Sequence, residues 1–390
     1  MTGTTQLTAL GDGEGTVGDM VIAGDKDMRE FFEVDNNGWA LLNHGGFGRV
    51  SVPVREAQVR HLAHVEEAPN RFFNEERQEA NRAVRERLAT FLNVEADDLA
   101  LVPNATHGLN VIGTTALAKG WSSLGTSLDY NGVSAMWEQL VERGARHRVV
   151  PIDIRDSDPG WGFESELWAY GTPDLMMVPH IVSATGGLFD VAALSELAAK
   201  GDSLVVVDGA HGPGQLNLNI ASLGVAAYIG DLHKWACGPR GTAFLWVDPT
   251  LKDELVWPVN SVSTIKETSD FGARLNWLGT SDPSAWLSIP DAIEFWESEL
   301  AQRRYSGLEA GTSQVLGRLG WKMLPSSEEV MMRSYVAPAG VVASELAAAL
   351  KKARVDVAVI EMDEVVVVRI SYAWYVNEDD IERLIAVLEA

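Results

Sequence analysis

LVVVDGAHGPG at residues 204–214 and YIGDLHKWACGPRGTAFLWV at residues 228–247 decide the fold. Leu204–Val207 is a run of strand length with apolar residues on both faces, as a helix-covered parallel sheet requires. It stops at Asp208, and Gly209–Gly214 then turns the chain. Ala227–Ile229 and Ala243–Val247 read as two further buried strands, with the polar turn carrying Lys234 between them.

Working outward, Asp98–Val102, Ser123–Leu128, Arg148–Ile152 and Leu175–Val178 are runs of the same kind. Helical stretches separate them, His107–Leu117 among these, so the pattern predicts a doubly wound α/β unit. Past residue 275 the character changes. Pro283–Leu300 reads as one long helix, Val355–Ile360 and Val365–Ile370 as a hairpin turning at Met362–Glu364, and Asp379–Leu388 as a closing helix. The expected division is a flexible leader and N-terminal segment over 1–40, a large domain over 41–275 and a smaller α+β domain over 276–390.

Composition narrows the function. With 55 acidic against 31 basic residues the formal charge is -24, which argues against nucleic acid or an anionic membrane as partner. No run of about 18 apolar residues reads as a membrane span, and the N-terminus has no basic and apolar secretory pattern, so a cytoplasmic setting is expected. A single cysteine excludes a disulfide framework and a cysteine-rich metal site, and no metal is expected. The 13 tryptophans either pack cores or line a pocket for a large substrate; Trp39, Trp137, Trp257 and Trp277 lie near motif segments.

Ligands of open parallel sheets sit beyond the carboxyl ends of the strands. Three such ends carry chemistry. Asn104-Ala105-Thr106 opens a helix and offers amides and a hydroxyl that suit a phosphate, although the same residues suit an ordinary cap. Asp208 is an acid at the end of a valine run, desolvated and in need of a cationic or proton-donating partner unless it merely caps its turn. His211 follows it closely. Lys234 is embedded among Trp235, Ala236 and Cys237, where a low dielectric makes a lysine a Schiff-base nucleophile; a surface lysine beside a turn is the plainer alternative. Taken together, the amine, the acid and the anion hole are the groups that pyridoxal 5′-phosphate requires.

The segments LNHGGFG (42–48), PNATHGLNV (103–111), HIVSATGGLFDV (180–191), VVVDGAHGPG (205–214), GDLHKWACGPRGTAFLWV (230–247) and VRISYAWYVNEDDIERL (368–384) resemble the class V aminotransferases, most of all the isopenicillin N epimerase-like branch. The resemblance implies the fold type I architecture of pyridoxal-phosphate enzymes and a homodimer with sites at its interface. It places the cofactor-bearing lysine at Lys234, the acid for the ring nitrogen at Asp208, and a histidine beside the cofactor at His211. Ala105 and Thr106 match the phosphate turn, His233 a residue near that phosphate, Tyr130 the aromatic that stacks on the ring, and Ser183 a contact on the phenolic-oxygen side. Thr280 matches a phosphate ligand lent by the other subunit, and Arg369 the grip on the substrate carboxylate. Asn43 and His44 match the N-terminal edge of the substrate site. His107 and the run after Tyr130 depart from the usual pattern, so the substrate face reads as specialised.

The implied reaction is chemistry at the α-carbon of an amino acid. The preferred outcome is carbon–sulfur cleavage by β-elimination on a bulky S-conjugated cysteine, in sulfur or secondary metabolism such as antibiotic biosynthesis. An epimerase, an aminotransferase and a decarboxylating oxidative deaminase are the alternatives. A cysteine desulfurase is disfavoured, because Trp321–Gly340 holds no cysteine and Cys237 stands beside the lysine. A nicotinamide dehydrogenase rests on GGFG alone, without the strand–GxGxxG–helix unit. A catalytically dead cofactor-binding sensor would require the loss of Lys234 or an added domain.

Overall fold

A computed structural model describes residues 28–34, 38–156, 160–261, 270–301, 303, 307–362 and 364–390. Residues 1–27 of the expected leader, and Asp363 of the expected turn, lie outside them.

After a two-residue strand β1 (Ala40–Leu41), the chain lays down β2 (Leu99–Val102), β3 (Ser122–Thr126), β4 (Arg146–Val150), β5 (Leu175–Pro179), β6 (Leu204–Asp208), β7 (Ala227–Asp231) and β8 (Ala243–Val247). The last seven form one sheet in the order β2-β8-β7-β6-β5-β3-β4. Along each central strand, side chains feed opposite faces in turn: Val205 and Val207 join one apolar core and Val206 the other. Both faces are therefore covered, which is why these strands read as unbroken apolar runs.

From β3 to β7 the pairs are parallel, so the carboxyl ends of β3, β5, β6 and β7 share one edge. β8 is the exception in the mainly parallel sheet expected, and runs antiparallel to both β7 and β2. The cause is the short connection 232–242: without a crossover helix, a strand can only fold back beside its predecessor.

A second sheet takes β9 (Lys322–Met323), β10 (Met332–Val336), β12 (Ala358–Met362) and β13 (Val365–Ser371), ordered β12-β13-β10-β9, while β11 (Val355–Asp356) pairs parallel with β1. The expected strand 355–360 is thus divided between two sheets, and the antiparallel hairpin closes where Met362 faces Val365. The expected helix 283–300 is three pieces, Ser284–Leu287, Ile289–Phe295 and a π-helical turn Trp296–Leu300. Pro290 lacks an N–H and crowds the preceding turn, which starts a new helix there instead of continuing the old one. The closing helix Glu378–Leu388 is capped reciprocally by Asn377 and Asp380. No helix among the described residues is long and apolar enough to cross a membrane.

Candidate active site

The site forms where β6 and β7 end side by side. Asp208 is the last residue of β6, Asp231 the last of β7, and Lys234 follows in the connection to β8. Gly48 explains part of the N-terminal motif: its φ is +65°, and a Cβ there would lie 1.8 Å from the backbone oxygen of His233. Only glycine lets the 42–48 segment press this closely on the lysine loop.

Lys234 Nζ is 3.2 Å from Asp231 Oδ2 and 3.5 Å from His211 Nε2. Its side chain is 13% exposed, so it reaches solvent while most of its stem is covered. Asp208 is buried and accepts one hydrogen bond, 3.1 Å from the amide of Ala210. Burial pushes its carboxyl up to about 6, and the nearby Asp231 charge adds to that while Lys234 opposes it. No ion-pair partner for Asp208 appears among the described residues.

His211 is buried, and the Trp235 indole N–H points at its Nδ1 from 3.4 Å. That leaves the proton of the neutral ring on Nε2, which stands 3.3 Å from Ser183 Oγ. Burial, and then the charge of Lys234, hold this histidine well below its ordinary range, so the ring is neutral at pH 7.

Arg369 comes from β13, in the second sheet, and is also buried. Its Nη1 donates to the backbone oxygen of Ser183, its Nη2 donates to Asn43 Oδ1 at 3.0 Å, and its buried Nε has no hydrogen-bond partner. Burial lowers the guanidinium to about 10, which still leaves it charged. Arg369, Ser183, His211 and Lys234 thus form a continuous chain of contacts between the two sheets.

The helix Ala105–Lys119 begins beside this chain. Asn104 caps it by accepting the His107 amide at 2.9 Å, and the Ala105 amide donates to Asp231 Oδ1 at 2.8 Å. Thr106 is exposed, so its hydroxyl is open to a ligand. His233 is 12% exposed, with Nδ1 3.3 Å from the Thr242 carbonyl and 3.8 Å from Asp231 Oδ1. Tyr130, at the carboxyl end of β3, is 51% exposed and precedes the helix Asn131–Glu142. Thr280 lies in an exposed turn, and no described hydrogen bond or ion pair ties it to the cluster.

His44 has a different setting from the edge position the sequence indicates. It is 2% exposed, its Nε2 donates to the Lys234 carbonyl at 3.0 Å, and its Nδ1 accepts from the Tyr375 hydroxyl at 2.9 Å. Burial lowers it to about 4, so the ring is neutral and both nitrogens are spent holding the lysine loop. The tryptophans also pack: Trp137 stacks on His147 with centroids 4.5 Å apart, and Arg77 lies 4.5 Å from the Trp277 ring. Cys237 is buried with its thiol pushed up by burial, a poor nucleophile.

Two carboxyls escaped the sequence reading. Asp231 meets the same criterion that singled out Asp208, an acid ending an apolar run, and YIGD carries that signal. Asp129 is half-buried and accepts from the Thr126 hydroxyl at 2.8 Å; desolvation raises it to about 7, with Asp208 adding to the effect. Its sequence context, a polar turn before Tyr130, gives no sign of that burial. Among the described residues no group of His, Cys, Asp and Glu is placed to hold a metal ion.

Comparison with known proteins shows the family and the fold. The family model for aminotransferase class-V matches residues 60–384. Isopenicillin N epimerase of Streptomyces clavuligerus is 30% identical, over 90% of this chain and 94% of its own. A probable chloroplastic L-cysteine desulfhydrase of Arabidopsis thaliana is 25% identical, over 66% of this chain and 58% of its own. Among solved structures, a C-DES mutant with glycine covalently linked to its pyridoxal-phosphate cofactor superposes with a TM-score of 0.78 at 19% identity, over 94% of this chain and 99% of that one. C-DES bound to cysteine persulfide, described as a cystine C–S lyase, gives 0.77 at 20% identity, over 92% and 99%.

Proposed function

The chain belongs to the class-V aminotransferase family and is a pyridoxal 5′-phosphate enzyme, and from that premise we propose that it is a carbon–sulfur lyase acting on S-substituted cysteines. The observation that carries the reading is the contact chain Lys234–His211–Ser183–Arg369, which links one amine to one guanidinium through two residues.

The residues suit the cofactor. Asp208 is a buried carboxyl without an ion-pair partner, and a protonated ring nitrogen is the partner it lacks. Thr106, His233 and the first turn of the Ala105–Lys119 helix would hold the phosphate, Tyr130 would cover the ring, and Lys234 would bind the aldehyde carbon. Once bound, the cofactor supplies an electron sink for charge developing at the substrate's α-carbon.

Arg369 holds the substrate carboxylate, with Asn43 and Ser183 fixing the plane of the guanidinium. Lys234 Nζ removes the α-proton, and His44 keeps the lysine loop in place from behind. The carbon–sulfur bond then breaks with the electron pair leaving on sulfur as thiolate. Addition of water yields ammonia and the 2-oxo acid. One proton-transfer group is enough for elimination, since the proton never returns to the opposite face. Epimerisation also needs a donor on that face, and His44 cannot serve because both its nitrogens are committed.

Epimerisation is nonetheless the second reading, because the Streptomyces clavuligerus relative matches over nearly its full length. Incubation with S-substituted L-cysteines and bulky L-amino acids in deuterated water separates the two. The lyase reading expects pyruvate and free thiol in equal amounts. Inverted substrate carrying α-deuterium, with no pyruvate, establishes the epimerase instead. A homodimer in which Thr280 reaches the neighbouring phosphate, and a cytoplasmic setting, complete the proposal.

A further inference from the structure

We propose that Asp231 puts a fixed negative charge inside the phosphate cradle, so that cofactor affinity is given up for placement of the catalytic lysine. The inference rests on the reading that the start of the Ala105–Lys119 helix receives the phosphate.

A helix start attracts an anion through its free amides and its dipole. Here that capacity is already partly committed. The Ala105 amide donates to Asp231 Oδ1 at 2.8 Å, and the His107 amide donates to Asn104 at 2.9 Å. Thr106, lying between them, contributes the remaining amide of this trio and its exposed hydroxyl. Asp231 is 4% exposed, so water screens its charge poorly.

The groups around that carboxylate do not remove its charge. His233 Nδ1 is 3.8 Å away, but burial holds this ring below its ordinary range, and it is neutral at pH 7. Asp208 is a second acid nearby, and the two carboxyls act on each other as like charges. Lys234 is the counter-charge, with Nζ 3.2 Å from Oδ2. Asp231 therefore links the helix start to the lysine through one rigid carboxylate: Oδ1 takes the helix amide and Oδ2 takes the amine. A phosphate held at this helix start would meet the same carboxylate, whose charge has the wrong sign for it.

The test is the affinity for pyridoxal 5′-phosphate and for pyridoxal, which lacks the phosphate, measured by fluorescence titration at fixed pH and salt. Asp231→Asn keeps the shape and an acceptor for the Ala105 amide; Asp231→Ser is a second neutral variant. Both are expected to bind pyridoxal 5′-phosphate about tenfold more tightly than the wild type while affinity for pyridoxal changes less than about twofold. A ratio of the two affinities that is unchanged, or lower, in both variants overturns the proposal. Thr106→Val tests the underlying reading separately. It should lower the ratio, and an unaltered ratio removes the phosphate from this helix start and the proposal with it.

Discussion

Lys234→Ala lowers kcat by at least about 10³-fold and leaves the protein folded. The size follows from two roles lost at once. On the proposed reading the amine binds the cofactor's aldehyde and serves as the base for the α-proton. General-base catalysis alone is worth about 10²–10⁴-fold, and loss of the covalent anchor adds misalignment to that. Folding survives because the side chain's described polar contacts are confined to Asp231 and His211, and it takes no part in the apolar cores. Small primary amines added to the variant should restore part of the α-proton exchange, since they return a base to the space vacated. Turnover within tenfold of the wild type would remove Lys234 from the chemistry.

Arg369→Leu is the second large effect, a loss of about 10²–10³-fold in kcat/KM carried mainly by KM. The guanidinium is 4% exposed and already spends two of its nitrogens on Ser183 and Asn43. Truncating a buried, hydrogen-bonded charge costs about 2–5 kcal/mol, and here the substrate carboxylate bears that cost because its partner is gone. Arg369→Lys recovers little, because an ammonium cannot serve Ser183, Asn43 and a carboxylate from one plane. An amine substrate without a carboxylate is the control. It should react equally with the wild type and Arg369→Leu; an equal loss on that amine would show that the arginine acts through structure and not through carboxylate binding.

Strand ends were the legible part of this chain. Asp208 and Lys234 announce themselves because a charged residue closing or following an apolar run has to face something polar, and adjacent parallel strands bring such residues together. The direction of β8 is a matter of loop length, and the 232–242 connection is too short for a crossover. Pro290 carried the warning that 283–300 would not be one helix.

The rest depends on contacts distant in sequence. His44 is buried by Trp235, Trp374 and Tyr375, residues about 190 to 330 positions further along, which no local pattern foretells. The Asp129 carboxyl is raised by desolvation and by Asp208 at the end of β6, a neighbour that the turn's own sequence does not foretell. The overall charge of -24 gave no hint that Lys234 and Arg369 would be joined by so short a chain of contacts.

The central claim is that Lys234 carries the cofactor. Borohydride reduction of the cofactor-loaded enzyme fixes the carbon–nitrogen bond, and peptide mapping by mass spectrometry then reads its position. The account predicts a pyridoxyl-phosphate mass on the peptide containing Lys234 and on no other. The same mass on a different lysine, or on none, contradicts it.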